Sequence, residues 1–236
     1  MDRKKYVIVM AAGSGTRMGA DRPKQFLELG GKAVLQKTIE VFLKACPGIS
    51  VVTVLPEDFI DYWKRYCQKN NFTCPQMIVK GGITRFHSVR NALERIPDGA
   101  VVAVHDGVRP LISTKLVEEM FDKARTVPAL IPVVPCVDTI KVLRKSKTAG
   151  EVLETVPGAE VDRSMLYGAQ TPQIFHSEVL KQAYMLPYET SLTDDASVVE
   201  RYGKNLSYTM GERFNIKITT VDDLTLAEAI MRLSEN

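Results

Sequence analysis

Short apolar runs alternate with segments of helical periodicity along most of this chain, and this alternation constrains its fold more than any other feature. Residues 6–10 form an unbroken apolar run, as in a strand buried on both faces of a sheet. The pattern predicts further strands at 51–55, 77–79, 100–104 and 129–134, with helices at 34–45, 59–70, 84–96 and 113–126. This order predicts an α/β fold that is Rossmann-like, with a mostly parallel central sheet and helices on both faces.

Residues 137–160 interrupt this alternation. Apolar and polar residues alternate on either side of a polar turn at 144–150, which predicts a β-hairpin. Because an isolated hairpin is marginally stable in water, we expect it to protrude as an arm that packs on a partner subunit. The alternative is a hairpin folded onto its own domain.

After the arm, the pattern predicts helices at 177–184 and 193–202, a strand at 215–219 and a final helix. Thr220 and Asp223 have the spacing of a capping box at the start of that helix. The sequence contains no evident repeat, linker or low-complexity tract. We therefore predict one domain over 1–236, with 137–160 inserted as a dimerisation arm.

The charge balance narrows the choice of partners. The 236 residues carry 31 Lys and Arg against 28 Asp and Glu, and a net charge of +3 gives no reason to expect nucleic acid or a membrane as partner. The four cysteines lack metal-ligand spacing, which is typical of reduced thiols in a cytosolic protein. Since no apolar stretch approaches membrane-spanning length, we expect a cytoplasmic protein.

A glycine-rich loop at 11–19 directly follows the first strand. Glycine allows phosphate to approach main-chain N–H groups closely, and α/β folds bind ligands in loops at the carboxyl ends of their strands. The candidate nucleotide-binding residues of this loop are Ala11, Ala12, Gly13, Ser14, Gly15 and Thr16.

Three other loop motifs do not fit the spacing. Gly19 comes one residue late for a dinucleotide-binding fingerprint, and no lysine follows it as a P-loop requires. The glycines flank Ser14 directly, unlike those of a hydrolase nucleophile elbow. Arg17 and Lys24 instead bring positive charge to the loop, which favours the chemistry of a triphosphate.

Two further loops follow predicted strands and are expected at the same edge of the sheet. Gly81 and Gly82 follow the third strand, and Ser88 lies in the next helix. Asp106 follows the fourth strand and is the candidate ligand for Mg²⁺, which binds one or two carboxylates together with phosphate oxygens and water. The alternative for Asp106 is an ion pair with Arg109.

None of the three histidines is interpreted as a general base. A phosphate monoester acceptor has a second pKa of roughly 6 and is already an anion near neutral pH, so it needs no base to act as a nucleophile. His105 is therefore interpreted as a structural hydrogen-bonding residue.

Six motifs in register resemble one enzyme family. They lie at 11–25, 105–110, 138–139, 169–173, 193–197 and 215–217. Together they resemble the 2-C-methyl-D-erythritol 4-phosphate cytidylyltransferases of the non-mevalonate isoprenoid pathway, over nearly the whole chain. The resemblance implies a nucleotide-diphospho-sugar transferase type of fold and a homodimer with a protruding arm. It also implies in-line attack of the acceptor phosphate on the α-phosphorus of CTP, with Mg²⁺ and loss of pyrophosphate.

The resemblance implies roles for the residues that bind the nucleotide. Charge on the phosphates would be stabilised by Arg17, Lys24 and Lys217. The cytosine end would be held by Gly81, Gly82 and Ser88, while the ribose or metal region would be contacted by Asp106 and Gly107.

The resemblance also assigns the acceptor side. Arg109 and Thr171 would line it within one subunit. Thr139 and Arg163, on or near the arm, would reach the acceptor phosphate in the partner's active site. A dimer would then be required for activity.

Because of three departures from the family pattern, two acceptor substrates are considered. Val108, Tyr167 and Phe214 look closer to a sister family, the ribitol-5-phosphate cytidylyltransferases. The leading hypothesis is therefore 2-C-methyl-D-erythritol 4-phosphate, and D-ribitol 5-phosphate is the alternative. More distant alternatives are a sugar-1-phosphate nucleotidyltransferase, a dinucleotide-dependent oxidoreductase and a non-catalytic nucleotide-binding module.

Overall fold

The computed structural model describes residues 3–13, 23–146 and 152–234. Its helices are α1 Val34–Ala45, α2 Ile60–Lys69, α3 Arg85–Leu93, α4 Thr114–Lys123, α5 Ser177–Ala183, α6 Asp195–Arg201 and α7 Val221–Ser234. Its strands are β1 Lys5–Met10, β2 Glu28–Leu29, β3 Lys32–Ala33, β4 Ser50–Leu55, β5 Gln76–Lys80, β6 Val101–Asp106, β7 Ala129–Pro135, β8 Leu143–Lys145, β9 Leu153–Thr155, β10 Tyr167–Ala169, β11 Gln173–His176 and β12 Ser207–Met210.

The core of the molecule is an eight-stranded sheet in the order β10-β7-β11-β6-β1-β4-β5, with β12 beside β7. The strands β10 and β11 run against the other six. Helices cover both faces of this sheet, so the predicted α/β fold with a mostly parallel sheet is confirmed. Because β1, β4, β5 and β6 are parallel, their carboxyl ends meet at one edge.

Alternate residues of β1 pack into two separate apolar clusters. Val7 and Val9 lie with α1 and α4 on one face, while Tyr6 and Ile8 lie with α3, α5 and α6 on the other. These four side chains are at most 5% exposed. The unbroken apolar run at 6–10 therefore has a direct cause, since both faces of the central strand are buried.

Side chains fix the starts of several helices where the sequence indicates. The hydroxyls of Thr84 and Ser113 accept hydrogen bonds from the first turns of α3 and α4. The Thr220 and Asp223 capping box forms, because each side chain accepts a bond from the other's backbone N–H. These caps aim the preceding loops at the carboxyl edge of the sheet.

The predicted strand at 215–219 is wrong. No strand ladder includes this segment, and the Ile218 N–H donates to the Val108 carbonyl at 2.9 Å. The adjoining strand of the sheet is β12 at Ser207–Met210, which the sequence analysis missed together with β10 and β11. These strands have only three or four residues. β10 and β12 are mostly exposed, and β11 is buried but brings only Ile174 and Phe175 as apolar residues, so none shows the apolar run of a longer buried strand.

The hairpin predicted within 137–160 is confirmed, although its ladder is shorter than the alternating pattern. β8 and β9 pair antiparallel over three residues each. The tip at 147–151 lies outside the described residues. The hairpin strands remain largely exposed, with Leu143 and Leu153 exposed by 44% and 57%.

Within the described ranges, the helices are too short or too polar to cross a lipid bilayer.

Candidate active site

A cavity of about 490 Å³ opens over the carboxyl ends of β1, β5 and β6. Such an edge is the usual ligand site of an open α/β sheet. The cavity is lined by Met10, Ala11, Ala12, Gly13, Lys24, Gln25, Gly82, Ile83, Thr84, Arg85, Ser88, Asp106, Val108, Lys217 and Thr219. Residues that are far apart in the sequence therefore meet in one cavity.

The start of the glycine loop forms one wall. Ala11, Ala12 and Gly13 line the cavity directly after β1, and the Ala11 N–H donates to the Val54 carbonyl at 2.9 Å. The four remaining candidates of the loop, Ser14, Gly15, Thr16 and Arg17, lie outside the described residues. Their predicted contacts with phosphate stay predictions.

Gln25 holds this wall in place and was not singled out as a functional residue. Its side chain is 1% exposed, and its Nε2 donates to the carbonyls of Ala11 at 2.7 Å and Gly13 at 3.3 Å. Gln25 belongs to the 3-10 turn Lys24–Phe26, so the same turn brings Lys24 to the cavity. The signal in the sequence was the pairing of a glutamine with a lysine just after a glycine loop.

Two glycines let the opposite wall come close. A Cβ on Gly81 would lie 2.5 Å from the Ala12 Cβ, and a Cβ on Gly82 would lie 2.5 Å from the His87 Cβ. The Gly82 N–H donates to the Ser88 hydroxyl at 3.0 Å, and that hydroxyl donates to the Thr84 carbonyl at 2.9 Å. The approach of these glycines to their neighbours therefore makes this part of the cavity lining compact.

Asp106 forms the floor of the cavity at the end of β6. Its Oδ2 binds Lys217 Nζ at 3.0 Å and Arg109 Nε at 3.2 Å, so the ion pair considered as an alternative is present. Burial opposes charge on this carboxylate, but Lys217, Arg85 and Arg109 outweigh it and hold the pKa of Asp106 well below its usual range. Asp106 is thus an anion among three cations at neutral pH.

The carbonyl of Met10 accepts a hydrogen bond from the Gly107 N–H at 2.8 Å, which fixes the turn after Asp106 against β1. Gly107 itself approaches Ala11 so closely that an added Cβ would lie 3.1 Å from the alanine methyl. The predicted nucleotide-binding role of Gly107 is untested, and the structure gives it a packing role beside the cavity.

His105 and Thr171 brace the floor from below. The Thr171 hydroxyl accepts from the Asp106 N–H and contacts His105 Nδ1, both at 3.1 Å, while His105 Nε2 contacts the Arg109 carbonyl at 3.1 Å. Burial lowers the pKa of His105 to about 4, so the imidazole is neutral at physiological pH. This geometry agrees with a structural His105 and places the Thr171 hydroxyl in the same network, away from the cavity lining.

Polar contacts replace a strand ladder in positioning Lys217. Asn215 is fully buried, and its Nδ2 donates to the Thr171 carbonyl at 2.8 Å. Its own carbonyl accepts from Arg109 Nη1 at 2.7 Å. Upstream, the Glu212 carboxylate binds Ser113 at the start of α4. Side chains at fixed points therefore hold the segment, which is why strand periodicity was misleading there.

Arg85 is a cavity residue that the sequence analysis missed. It opens α3, lines the cavity and makes a two-pronged ion pair with Asp195 at 2.9 and 2.6 Å. The signal available in the sequence was its position between Gly82 and Ser88.

The arm residues predicted to bind the acceptor do not line this cavity. Thr139 and Arg163 are both exposed, and Arg163 Nη1 donates to the Val137 carbonyl at 3.0 Å. They are therefore near one another on the arm but not at the sheet edge of their own chain. Arg109 does reach the edge, where it pairs with Asp106.

Among the described residues, no group of three or more His, Cys, Asp or Glu side chains is arranged to hold a metal ion. Asp106 is the acidic residue of the cavity lining. One carboxylate facing a phosphate site is a donor set that suits Mg²⁺, which takes most of its ligands from phosphate and water.

Comparison with known sequences identifies close relatives over the full length. The family model described as IspD, 2-C-methyl-D-erythritol 4-phosphate cytidylyltransferase, matches residues 6–233. A protein of that name from Porphyromonas gingivalis strain W83 is 45% identical over 233 residues, covering 98% of this chain and 99% of its own. A protein of the same name from Phocaeicola vulgatus is 42% identical over 228 residues, covering 96% of this chain and 99% of its own.

Solved structures give the same result for the fold. The 4-diphosphocytidyl-2C-methyl-D-erythritol synthase of Anaerococcus prevotii superposes with a TM-score of 0.77 at 27% identity, covering 98% of this chain and 100% of its own. The 2-C-methyl-D-erythritol 4-phosphate cytidylyltransferase of Francisella tularensis superposes with a TM-score of 0.76 at 30% identity, covering 96% and 99%.

Proposed function

The chain belongs to the family of 2-C-methyl-D-erythritol 4-phosphate cytidylyltransferases, and from that premise we propose how its cavity performs the family's reaction. It is a CTP-dependent nucleotidyltransferase of the non-mevalonate route to isoprenoids. An oxygen of the acceptor phosphate bonds to the α-phosphorus of CTP, the bond from that phosphorus to the bridging oxygen breaks, and pyrophosphate leaves.

The observation that carries the proposal is that one cavity is lined by two chemically different kinds of group. Lys24 and Lys217 supply positive charge, which a triphosphate needs. Gly82 and Ser88 supply backbone and a hydroxyl, which suit a neutral base. A nucleoside triphosphate likewise combines a polyanion with a heterocycle.

The residues of the chain act by position and charge rather than by proton transfer. The acceptor phosphate is already ionised at neutral pH, with a second pKa of roughly 6. Lys24, Lys217 and the predicted Arg17 would stabilise charge that develops on the transferred phosphate and on pyrophosphate. His105 is buried and hydrogen-bonded, which leaves no role for it as a base.

Mg²⁺ is the proposed cofactor, with Asp106 as its protein ligand. The carboxylate stays ionised because three cations surround it, which keeps the pKa of Asp106 well below its usual range. Bound there, Mg²⁺ would neutralise part of the triphosphate charge. Lys217 would then share Asp106 with the metal and turn its ammonium towards phosphate.

The binding site for the acceptor would be completed by a second copy of the chain. Arg109 lies at the sheet edge beside Asp106, whereas Thr139 and Arg163 lie on the arm, away from their own chain's cavity. We place these two arm residues in the partner's active site. Exposed apolar side chains on the arm support a homodimer, because burying them against a second copy would stabilise the pair.

A cytoplasmic location is part of the same proposal. The four cysteines are free thiols, including Cys46 in the core. A cytosolic protein keeps such thiols reduced. The substrates are charged and water-soluble, and a membrane or nucleic acid partner has no role in the reaction.

The acceptor preference is tested by pyrophosphate release. Purified protein with CTP and Mg²⁺ is supplied with 2-C-methyl-D-erythritol 4-phosphate or with D-ribitol 5-phosphate. We expect strong preference for the first, so that Tyr167 and Phe214, exposed by 53% and 61%, are tolerated surface variations. A preference for ribitol phosphate would contradict the acceptor assignment and leave the nucleotide chemistry intact.

A further inference from the structure

A second cavity lies apart from the nucleotide cavity, between α2 and the β2–β3 hairpin. Its volume is about 480 Å³, and it is lined by residues within 26–33 and 62–70. This volume is typical of pockets that hold a small molecule. Among the residues that the structure describes, the linings of the two cavities have no member in common. The function proposed above leaves this second cavity without a role.

Aromatic rings make up much of the apolar lining of the second cavity. The ring of Phe26 packs edge-on against Tyr62, with centroids 5.0 Å apart, and Phe26 is 5% exposed. Tyr66 stacks on the buried Trp63 at 5.3 Å, while its hydroxyl accepts a hydrogen bond from the Ala33 N–H at 2.8 Å. The three lining rings are therefore held in place by their own contacts and offer a fixed apolar surface.

Two cations of this lining lack a carboxylate partner among the described residues. Arg65 and Lys69 are exposed and lie one turn apart on α2, so their charges repel across the same face of the helix. Lys32, a third cation of the lining, is already paired with Glu40 at 2.8 Å, and Glu28 is the acidic side chain of the lining. Positive charge therefore prevails there, and a bound anion would relieve the repulsion on α2.

These groups select a chemical class of ligand. Fixed aromatic rings favour an apolar or aromatic body, because burying it removes apolar surface from water. Arg65 and Lys69 favour a carboxylate, sulfonate or phosphate on that body, and a guanidinium can donate two parallel hydrogen bonds to such a group. A bare inorganic anion would leave the rings unused, and an uncharged aromatic molecule would leave the two cations unpaired. The lining therefore fits a small organic anion with an apolar body.

The wall between the two cavities is the 3-10 turn that follows the glycine loop. Lys24 and Gln25 line the nucleotide cavity, whereas Phe26 and Leu27 line the second cavity. The Leu27 N–H donates to the Lys24 carbonyl at 3.1 Å, and Gln25 Nε2 donates to the Ala11 carbonyl at 2.7 Å. A ligand that packs against Phe26 therefore acts on the same turn that positions Lys24 and the start of the glycine loop.

We propose that the second cavity is a regulatory site for a small organic anion with an apolar body, and that its occupancy lowers turnover by displacing Lys24. The effect on turnover rests on the proposed function, because it takes Lys24 to stabilise the transferred phosphate. Binding of the anion is independent of that function, since it follows from the lining of the second cavity alone. A displaced Lys24 makes a weaker contact in the transition state, so the bound anion inhibits the enzyme.

Calorimetry with 1-naphthalenesulfonate tests the site directly. This probe has a flat apolar body and an anionic group, and 1-naphthalenesulfonamide is its uncharged counterpart. We expect the sulfonate to bind the full-length protein with a Kd of about 0.1–1 mM, as its size allows, and the sulfonamide to bind about tenfold more weakly. Equal affinities of the two probes, or no binding of the sulfonate below about 10 mM, would overturn the inference.

Charge substitutions on α2 locate the bound probe. Arg65→Gln and Lys69→Gln should each weaken binding of the sulfonate about fivefold, as loss of an exposed ion pair does, and should leave turnover without the probe unchanged. Lys64→Gln is the matched control, because Lys64 is an exposed cation of the same helix that lies outside the cavity lining and pairs with Asp61. The control should bind the sulfonate like wild type. Equal losses in all three variants would show a general attraction to positive charge and overturn the inference.

Pyrophosphate release from CTP tests the link to Lys24. Saturating sulfonate should lower kcat about fivefold, and excess CTP should not restore it, because the two cavities have separate linings. Inhibition that excess CTP removes would place the probe in the nucleotide cavity and overturn the inference, as would binding with no change in turnover. Failure of the wild-type protein to release pyrophosphate without the probe would instead contradict the proposed function, and calorimetry would still decide whether the second cavity binds the anion.

Discussion

The sheet-edge cavity and the arm are built in opposite ways. At the sheet edge, Asp106, His105 and Thr171 are at most 8% exposed, and each is held by hydrogen bonds to the others or to nearby backbone. On the arm, Val152 and Leu153 are more than half exposed, and the ladder between β8 and β9 covers three residues on each strand. The first region is held together by contacts within one chain, whereas the second leaves apolar side chains exposed.

We propose that this difference separates binding of the nucleotide from capture of the acceptor. A rigid, buried network can present charge to a triphosphate without reorganising, which is how preorganised sites stabilise a transition state. An exposed hairpin gains order only when another surface covers it. Changes at the sheet edge should therefore affect chemistry or stability, whereas changes on the arm should affect the acceptor alone.

The largest effect is expected from Lys217→Ala. The ammonium at 3.0 Å from Asp106 faces the triphosphate end of the cavity, and its loss should lower turnover by about a hundredfold to a thousandfold. Steady-state pyrophosphate release measures this effect, with Lys44→Ala on the exposed face of α1 as the matched control. Equal turnover of the two variants would remove Lys217 from the mechanism.

Acid should destabilise the sheet edge through His105. Its folded pKa of about 4 lies below the usual value of 6.5, so the unfolded chain binds a proton more readily. The contribution of neutral His105 to the free energy of unfolding is therefore fully present above pH 6.5. It is lost as the pH falls towards 4, by on the order of 3 kcal/mol. Urea denaturation at a series of pH values measures this slope.

The control for that measurement is His105→Gln, which cannot take up the proton. The variant should be less stable than wild type at neutral pH because a neutral hydrogen-bonding network is altered. Its stability should depend less on pH between 6.5 and 4. If both proteins showed the same pH slope, groups other than His105 would control acid unfolding.

A smaller effect is expected from methyl groups added at two glycines, one in the cavity wall and one in β10 of the central sheet. Gly82→Ala would place its Cβ 2.5 Å from the His87 Cβ and 2.9 Å from the His87 carbonyl carbon, so the wall must shift. We expect a cost of about 1–3 kcal/mol, seen as weaker CTP binding by calorimetry. Gly168→Ala in β10 meets its nearest neighbour at 3.8 Å and should change CTP binding by less than about 0.5 kcal/mol. Equal effects of the two changes would mean that the wall is not tightly packed.

The smallest effect is expected from Arg163→Ala on the arm. Loss of one exposed contact to the acceptor phosphate should raise the KM for the acceptor about tenfold, since each tenfold corresponds to about 1.4 kcal/mol. The affinity for CTP, measured without acceptor, should be unchanged. A loss of CTP affinity alone would place Arg163 beside the nucleotide and contradict the position of the arm.

The sequence predicts the central sheet well because its strands are buried on both faces. Residues 6–10 and 100–104 are recognisable from apolar content alone, and the glycine loop follows from its place after β1. The segment at 215–219 was mistaken for a strand, since its order comes from the Asn215 amide and from Glu212 upstream. Side-chain contacts between distant parts of the chain leave no periodic signal.

The same limit applies to the site. Lys24 and Asp106 were found because charged residues beside phosphate loops have a clear chemical reason to be there, whereas Lys217 came from the resemblance to the family. Arg85 was missed because its significance depends on Asp195, which is 110 residues away in the chain. The exposed positions of Thr139 and Arg163 likewise acquire meaning only once a second subunit is considered.

The central claim is that each active site combines the sheet edge of one chain with the arm of another, and subunit mixing tests it most directly. Lys24→Ala and Arg163→Ala proteins are each assayed alone at limiting acceptor, then unfolded, mixed in equal amounts and refolded together. In half of the dimers, one of two sites then has both residues intact, so we predict recovery to about a quarter of wild-type activity. Activity equal to the average of the two separate variants would contradict the shared site and place Arg163 in the cavity of its own chain.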